Sequence, residues 1–108
     1  MNSIIYYYFE DLKQYVLIEA NINYVASYEC RKLSTCIERK LNKKISVTTI
    51  KRIYGFAQSK FDPSAFTLDT MSQFCGFKGW VDFCNNRKGN LKTFHRMELS
   101  FPQFAGKD

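Results

Sequence analysis

The stretch "ISVTTIKRIYGF", residues 45–56, joins a regular apolar spacing to a run of hydroxyls and cations. Val47, Ile50, Ile53 and Tyr54 recur at intervals of three and four, which places them on one face of a helix. Ser46 stands where a side-chain oxygen accepts from an orphan backbone N–H at a helix start, and Gly55 where a helix ends in the left-handed region. The reading is a helix of about two turns over 47–54. It is anchored by aliphatics and presents Thr48, Thr49, Lys51 and Arg52 on its outer and flanking sides.

Upstream, residues 28–41 carry Tyr28, Cys30, Leu33, Ile37 and Leu41 as a buried stripe, with Ser27 as the expected cap. Arg31, Lys32, Arg39 and Lys40 stay in solvent. The tetrapeptide "NKKI", residues 42–45, turns the chain. A helix, a turn and a short capped helix make a helix-turn-helix, whose second helix can enter the DNA major groove and read base edges. On that reading Thr48, Thr49, Lys51 and Arg52 contact bases, because Arg and Lys donate to guanine and Thr meets either partner. Arg39, Lys40, Lys43, Lys44 and Ser46 contact phosphates, which position the protein without specifying sequence.

The remaining segments surround this unit. "IIYYYFEDLKQYVLIEANI", residues 4–22, has helical spacing through Tyr8, Leu12, Tyr15 and Ile18, with Ile5, Phe9 and Val16 alongside. "TLDTMSQFCGF", residues 67–77, predicts a helix capped by Thr67, with Asp69 near its positive end. Leu68, Met71, Phe74 and Cys75 lie inside, and Gly76 ends it. "GWVDFCNN", residues 79–86, adds Trp80, Val81, Phe83 and Cys84 to the core. The expected fold is all-α, a compact bundle of about five short helices in one domain over 1–86. An irregular C-terminal arm or tail covers 87–108.

Composition agrees with a packed globule: 108 residues, 45% hydrophobic and 17% aromatic. The net charge of +6 is concentrated in residues 31–60, where nine Lys and Arg face Glu38 alone. Residues 1–30 hold four acids against Lys13. No apolar run is long enough to span a membrane, and the first residues lack a signal peptide's basic start, so a cytoplasmic protein is expected. Cys30, Cys36, Cys75 and Cys84 form no close-spaced pair and His95 stands alone, so buried thiols are expected rather than a metal site. Walker loops, GxGxxG, GxSxG and HExxH are missing, which speaks against an enzyme, a cofactor or a small-molecule substrate.

"SVTTIKRIYG" resembles the recognition-helix stretch of the Cro and phage-repressor type of helix-turn-helix, and "PSAFTLDTMSQFCGF" resembles that family's following segment. The run from "LSTCIERKL" to "GWVDF" is also similar to a helical domain of largely uncharacterised bacterial proteins. Together these cover about residues 28–84. Two departures from the repressor pattern stand out: the turn "NKKI" is about two residues longer than usual there, and no Gln opens the second helix. The resemblance implies a sequence-specific double-stranded DNA-binding protein, a transcriptional or mobile-element regulator. A homodimer would suit two-fold operators. The alternative is a non-catalytic interaction adaptor using the first helix and the Phe-rich tail.

Overall fold

Leu12 and Val16, wholly buried, mark the inner face of α1 (Ser3–Glu19). Tyr8, Phe9 and Leu17 share that face. Ile18, expected inside, is instead 72% exposed. It follows Val16 by two residues, about 200° around a helix, so burying Val16 turns Ile18 outward. The computed structural model describes residues 3–59 and 62–87, and among them α1 is the first of five helices.

Three helices stop by the same device. After α1, Asn21 takes φ 59°, its N–H donates to the Ile18 carbonyl, and the Ile22 N–H reaches the Leu17 carbonyl at 2.9 Å. This paired arrangement satisfies carbonyls that a helix end leaves open. After α3 (Val47–Ile53), Gly55 at φ 86° lets the Phe56 N–H bond Lys51. After α4 (Ala65–Phe74), Gly76 at φ 96° lets the Phe77 N–H bond Ser72.

α2 (Glu29–Leu41) buries Cys30, Leu33, Ser34 and Ile37. Two expectations fail at its start. Ser27 does not cap with its side chain; its carbonyl accepts from the Cys30 N–H, as the Ala26 carbonyl accepts from Glu29. Tyr28 is 79% exposed, again two residues from a fully buried neighbour, Cys30. Beyond α2, Asn42 adopts φ 57° and turns the chain toward α3. The turn is pinned from inside, where the Ser34 hydroxyl donates to the Ile45 carbonyl at 2.6 Å.

Ser64, rather than Thr67, caps α4: its hydroxyl oxygen accepts from the Thr67 N–H at 3.2 Å. Pro63 just ahead fixes the entry, so the cap lies three residues earlier than the apolar pattern alone suggests. Asp69 serves the next element, accepting from the Trp80 N–H at 2.8 Å where the fifth helix, α5 (80–87), begins. A Cβ on Gly79 would come within 3.0 Å of that carboxylate, so glycine fits this approach. Phe83 of α5 is fully buried among Tyr15, Phe77 and Trp80, with ring centroids 5.1–5.8 Å away. Val81, expected in the core, is 70% exposed because it stands two residues from Phe83.

Arg87, placed by the sequence at the head of the tail, is the last described residue of α5. It pairs with Asp11 at 3.1 Å and donates to the Tyr15 hydroxyl at 2.8 Å, tying α5 to α1. The tail expected over 88–108 lies outside the described residues. The fold is all-α, with no strand among the described residues, and no described helix is long and apolar enough to cross a membrane.

Candidate nucleic-acid interface

α3 is short, so its position depends on tertiary anchors rather than on intrinsic helix stability. Ile50 is sunk in the core at 1% exposure. Tyr54, just past the helix, donates its hydroxyl to the Lys13 carbonyl of α1 at 2.8 Å. Lys13 packs its ammonium 5.4 Å from the Tyr54 ring and 5.8 Å from Phe9, and pairs with Glu10 at 3.2 Å. Burial, with smaller contributions from Cys75, Cys30 and Glu10, pushes the Tyr54 phenol far above its ordinary range.

The four residues expected to read bases spread around the remaining surface of α3. Thr48 and Arg52, four residues apart, are exposed on one outward line. Lys51 is half-buried on the side of α2's start: burial raises the Cys30 thiol, and the nearby Lys51 charge partly offsets it. Thr49 is half-buried on the opposite flank. Its N–H donates to the Ser46 oxygen at 3.1 Å, and the Ser46 hydroxyl donates to Thr49 Oγ1 at 2.9 Å. The Ser46 side chain is therefore occupied as a cap.

The residues expected to reach phosphates fall into two groups. Arg39 and Lys44 are exposed. Lys40 and Lys43 turn toward the end of α4. Lys40 donates to Glu19 and to the Phe74 carbonyl, each at 2.7 Å, with its ammonium 5.1 Å from the Phe74 ring. Lys43 donates to Gln73 at 2.6 Å. Arg39 and Lys40 also lie in the last turn of α2, where cations offset the negative helix end.

Other cations join this surface. Arg31 and Lys32 are exposed at the other end of α2. Lys78 is exposed beside the Lys43 group, its carbonyl accepting from Gln73 at 3.1 Å. Arg31 and Lys32 were visible in the basic middle segment. Sequence alone did not add them to the phosphate set, because that depends on how α2 and α3 pack. Compared with models of protein families, with curated proteins and with solved structures, the chain matches none.

Proposed function

We propose that this chain is a cytoplasmic, sequence-specific double-stranded DNA-binding protein of repressor-like helix-turn-helix type, acting as a transcriptional or mobile-element regulator. The observation that carries the reading is the outward Thr48–Arg52 line on α3, a helix packed against α2, which carries exposed cations at both of its ends. A helix placed in the major groove needs base-reading groups along its outer line and cations beside it to meet the flanking phosphates. Thr48, Thr49, Lys51 and Arg52 take the first role. Arg39, Lys43 and Lys44 take the second, with Arg31 and Lys32 added. Lys40 contributes to the local field while held by Glu19 and Phe74. A homodimer would place two copies of α3 on the half-sites of a two-fold operator.

The test is fluorescence anisotropy with random duplex DNA over a salt series. Micromolar binding that falls steeply with salt supports the reading, because it reports counterions released from neutralised phosphates. No binding even at low salt supports a protein-interaction adaptor instead. One observation favours that second reading: α1 turns Ile4, Tyr7 and Ile18 outward along a line, at 61%, 67% and 72% exposure.

A further inference from the structure

Ile4, Tyr7, Asp11, Gln14 and Ile18 follow one another at intervals of three and four, so they form a single stripe along α1. The stripe faces away from the core: Ile4, Tyr7, Gln14 and Ile18 are exposed. Asp11, its one charged member, is held by Arg87 at 3.1 Å. The stripe therefore offers apolar surface around a neutralised centre, which suits an apolar occupant and gives a polyanion nothing to hold.

The exit of the chain points to that occupant. Arg87, the last described residue of α5, is fixed on α1 by Asp11, by the Tyr15 hydroxyl at 2.8 Å and by the Tyr15 ring, 5.6 Å from its guanidinium. The chain thus leaves the described helices beside the middle of the stripe, with twenty-one residues to follow. Ile4 and Ile18 lie to either side of Asp11, about 10 Å away along the helix. Running to one end and back over the whole stripe takes about 30 Å, or roughly ten extended residues. Segment 91–104 carries Leu91, Phe94, Met97, Leu99, Phe101 and Phe104. The residues after Arg87 are also net basic, with Lys88, Lys92, Arg96 and Lys107 against Glu98 and Asp108, whereas α1 holds Glu10, Asp11 and Glu19 against Lys13 alone.

A second copy fits the stripe less well. Because Asp11 is midway between Ile4 and Ile18, pairing two stripes in either direction brings two Asp11–Arg87 pairs together and strips water from both, a penalty seldom repaid. A tethered segment also meets the stripe at an effective concentration of about millimolar for a short flexible linker, far above that of free chains.

We propose that the outer stripe of α1 is an intramolecular docking surface, covered by the chain's own segment 91–104 through its Phe, Leu and Met side chains. The proposal does not rest on the DNA-binding reading. It differs from the adaptor reading in its occupant, since helix and tail here take each other rather than a partner.

The test is NMR on the full chain with protons kept only on Ile δ1-methyls, Phe rings and amides. The Ile4 and Ile18 methyls should show cross-peaks to the rings of Phe94, Phe101 or Phe104, with relative intensities unchanged on tenfold dilution. Ile18→Asp, at an exposed position, should remove them and speed amide exchange over 91–104 at least about tenfold. Phe101→Ser, which leaves every described helix untouched, should shift the Ile4 and Ile18 methyl signals. No cross-peaks from these methyls to the three rings, or cross-peaks and exchange that ignore Ile18→Asp, would overturn the proposal. So would cross-peaks between chains in a mixture of Ile-labelled and Phe-labelled protein, which would assign the stripe to a second copy.

Discussion

Ser34 in the middle of α2 donates its hydroxyl to the carbonyl of Ile45, 2.6 Å away, and both residues are buried. This bond closes the turn between the two helices from the inside. Ser34→Ala would leave the Ile45 carbonyl buried without that donor, at a cost of about 1–3 kcal/mol. Urea denaturation of the variant should show a lower midpoint with an unchanged slope, the signature of lost stability without a change in denatured-state compactness.

Lys40 links the ends of three helices, through Glu19, the Phe74 carbonyl and its own place in α2. Because the Lys40–Glu19 pair is more than 40% exposed, the ion pair itself contributes little. Lys40→Ala should therefore lower stability by about 1 kcal/mol, mostly through the carbonyl bond and the aliphatic stem. The salt dependence of duplex binding should change less than for Lys44→Ala. Thermal melts and binding isotherms on the same samples separate the two effects.

Gly55 and Gly76 hold positive φ with open space where a Cβ would go. Substitution meets no clash, so the cost is conformational. Gly55→Ala and Gly76→Ala should each destabilise by about 1–2 kcal/mol. Near-equal costs in urea denaturation are the expected result, since both glycines close the same kind of helix end.

Alkaline pH should weaken the fold. Burial, reinforced by Glu19 and opposed by Lys40, pushes the Cys75 thiol from 9.0 up to about 12, and burial also raises the Tyr54 phenol. The unfolded chain therefore releases these protons before the folded one does. Stability supplied by the protonated Cys75 is intact below pH 9.0 and is lost as pH rises toward about 12. Urea midpoints should fall as pH rises from about 8 to about 10.5. Cys75→Ser should remove that thiol's contribution to the slope.

Much of the architecture was readable because stop signals and apolar spacing agreed. Ser46 and Gly55 bracket α3 as their side chains and backbone preferences dictate. The misplacements share one physical cause. Ile18, Tyr28 and Val81 are apolar or aromatic, yet each lies two residues from a fully buried neighbour, so a helix turns it to the opposite side. Hydrophobicity marked them for the core, but the phase of each helix is set by its packing partners. The caps went the same way. Ser64 and Thr67 are both good cap residues, and the apolar pattern alone did not say which one opens α4.

The candidate site was legible as a set of residue types but not as an arrangement. The exposed line of Thr48 and Arg52 follows from a spacing of four. The commitment of Lys40 to Glu19 and Phe74 does not, since those partners lie 21 and 34 residues away in the chain. Local periodicity carries no information about such pairings.

The most direct test of the central claim is the salt dependence of duplex binding for the wild-type chain beside Arg52→Ala and Lys44→Ala. The account predicts a steep negative salt slope for wild type, flattened by about one in Lys44→Ala with affinity lowered alike on all sequences. Arg52→Ala should instead relax preference among duplexes, at a cost of about 1–3 kcal/mol on the preferred one. No binding at low salt, or both variants binding as wild type does, would contradict the placement of α3 in the major groove.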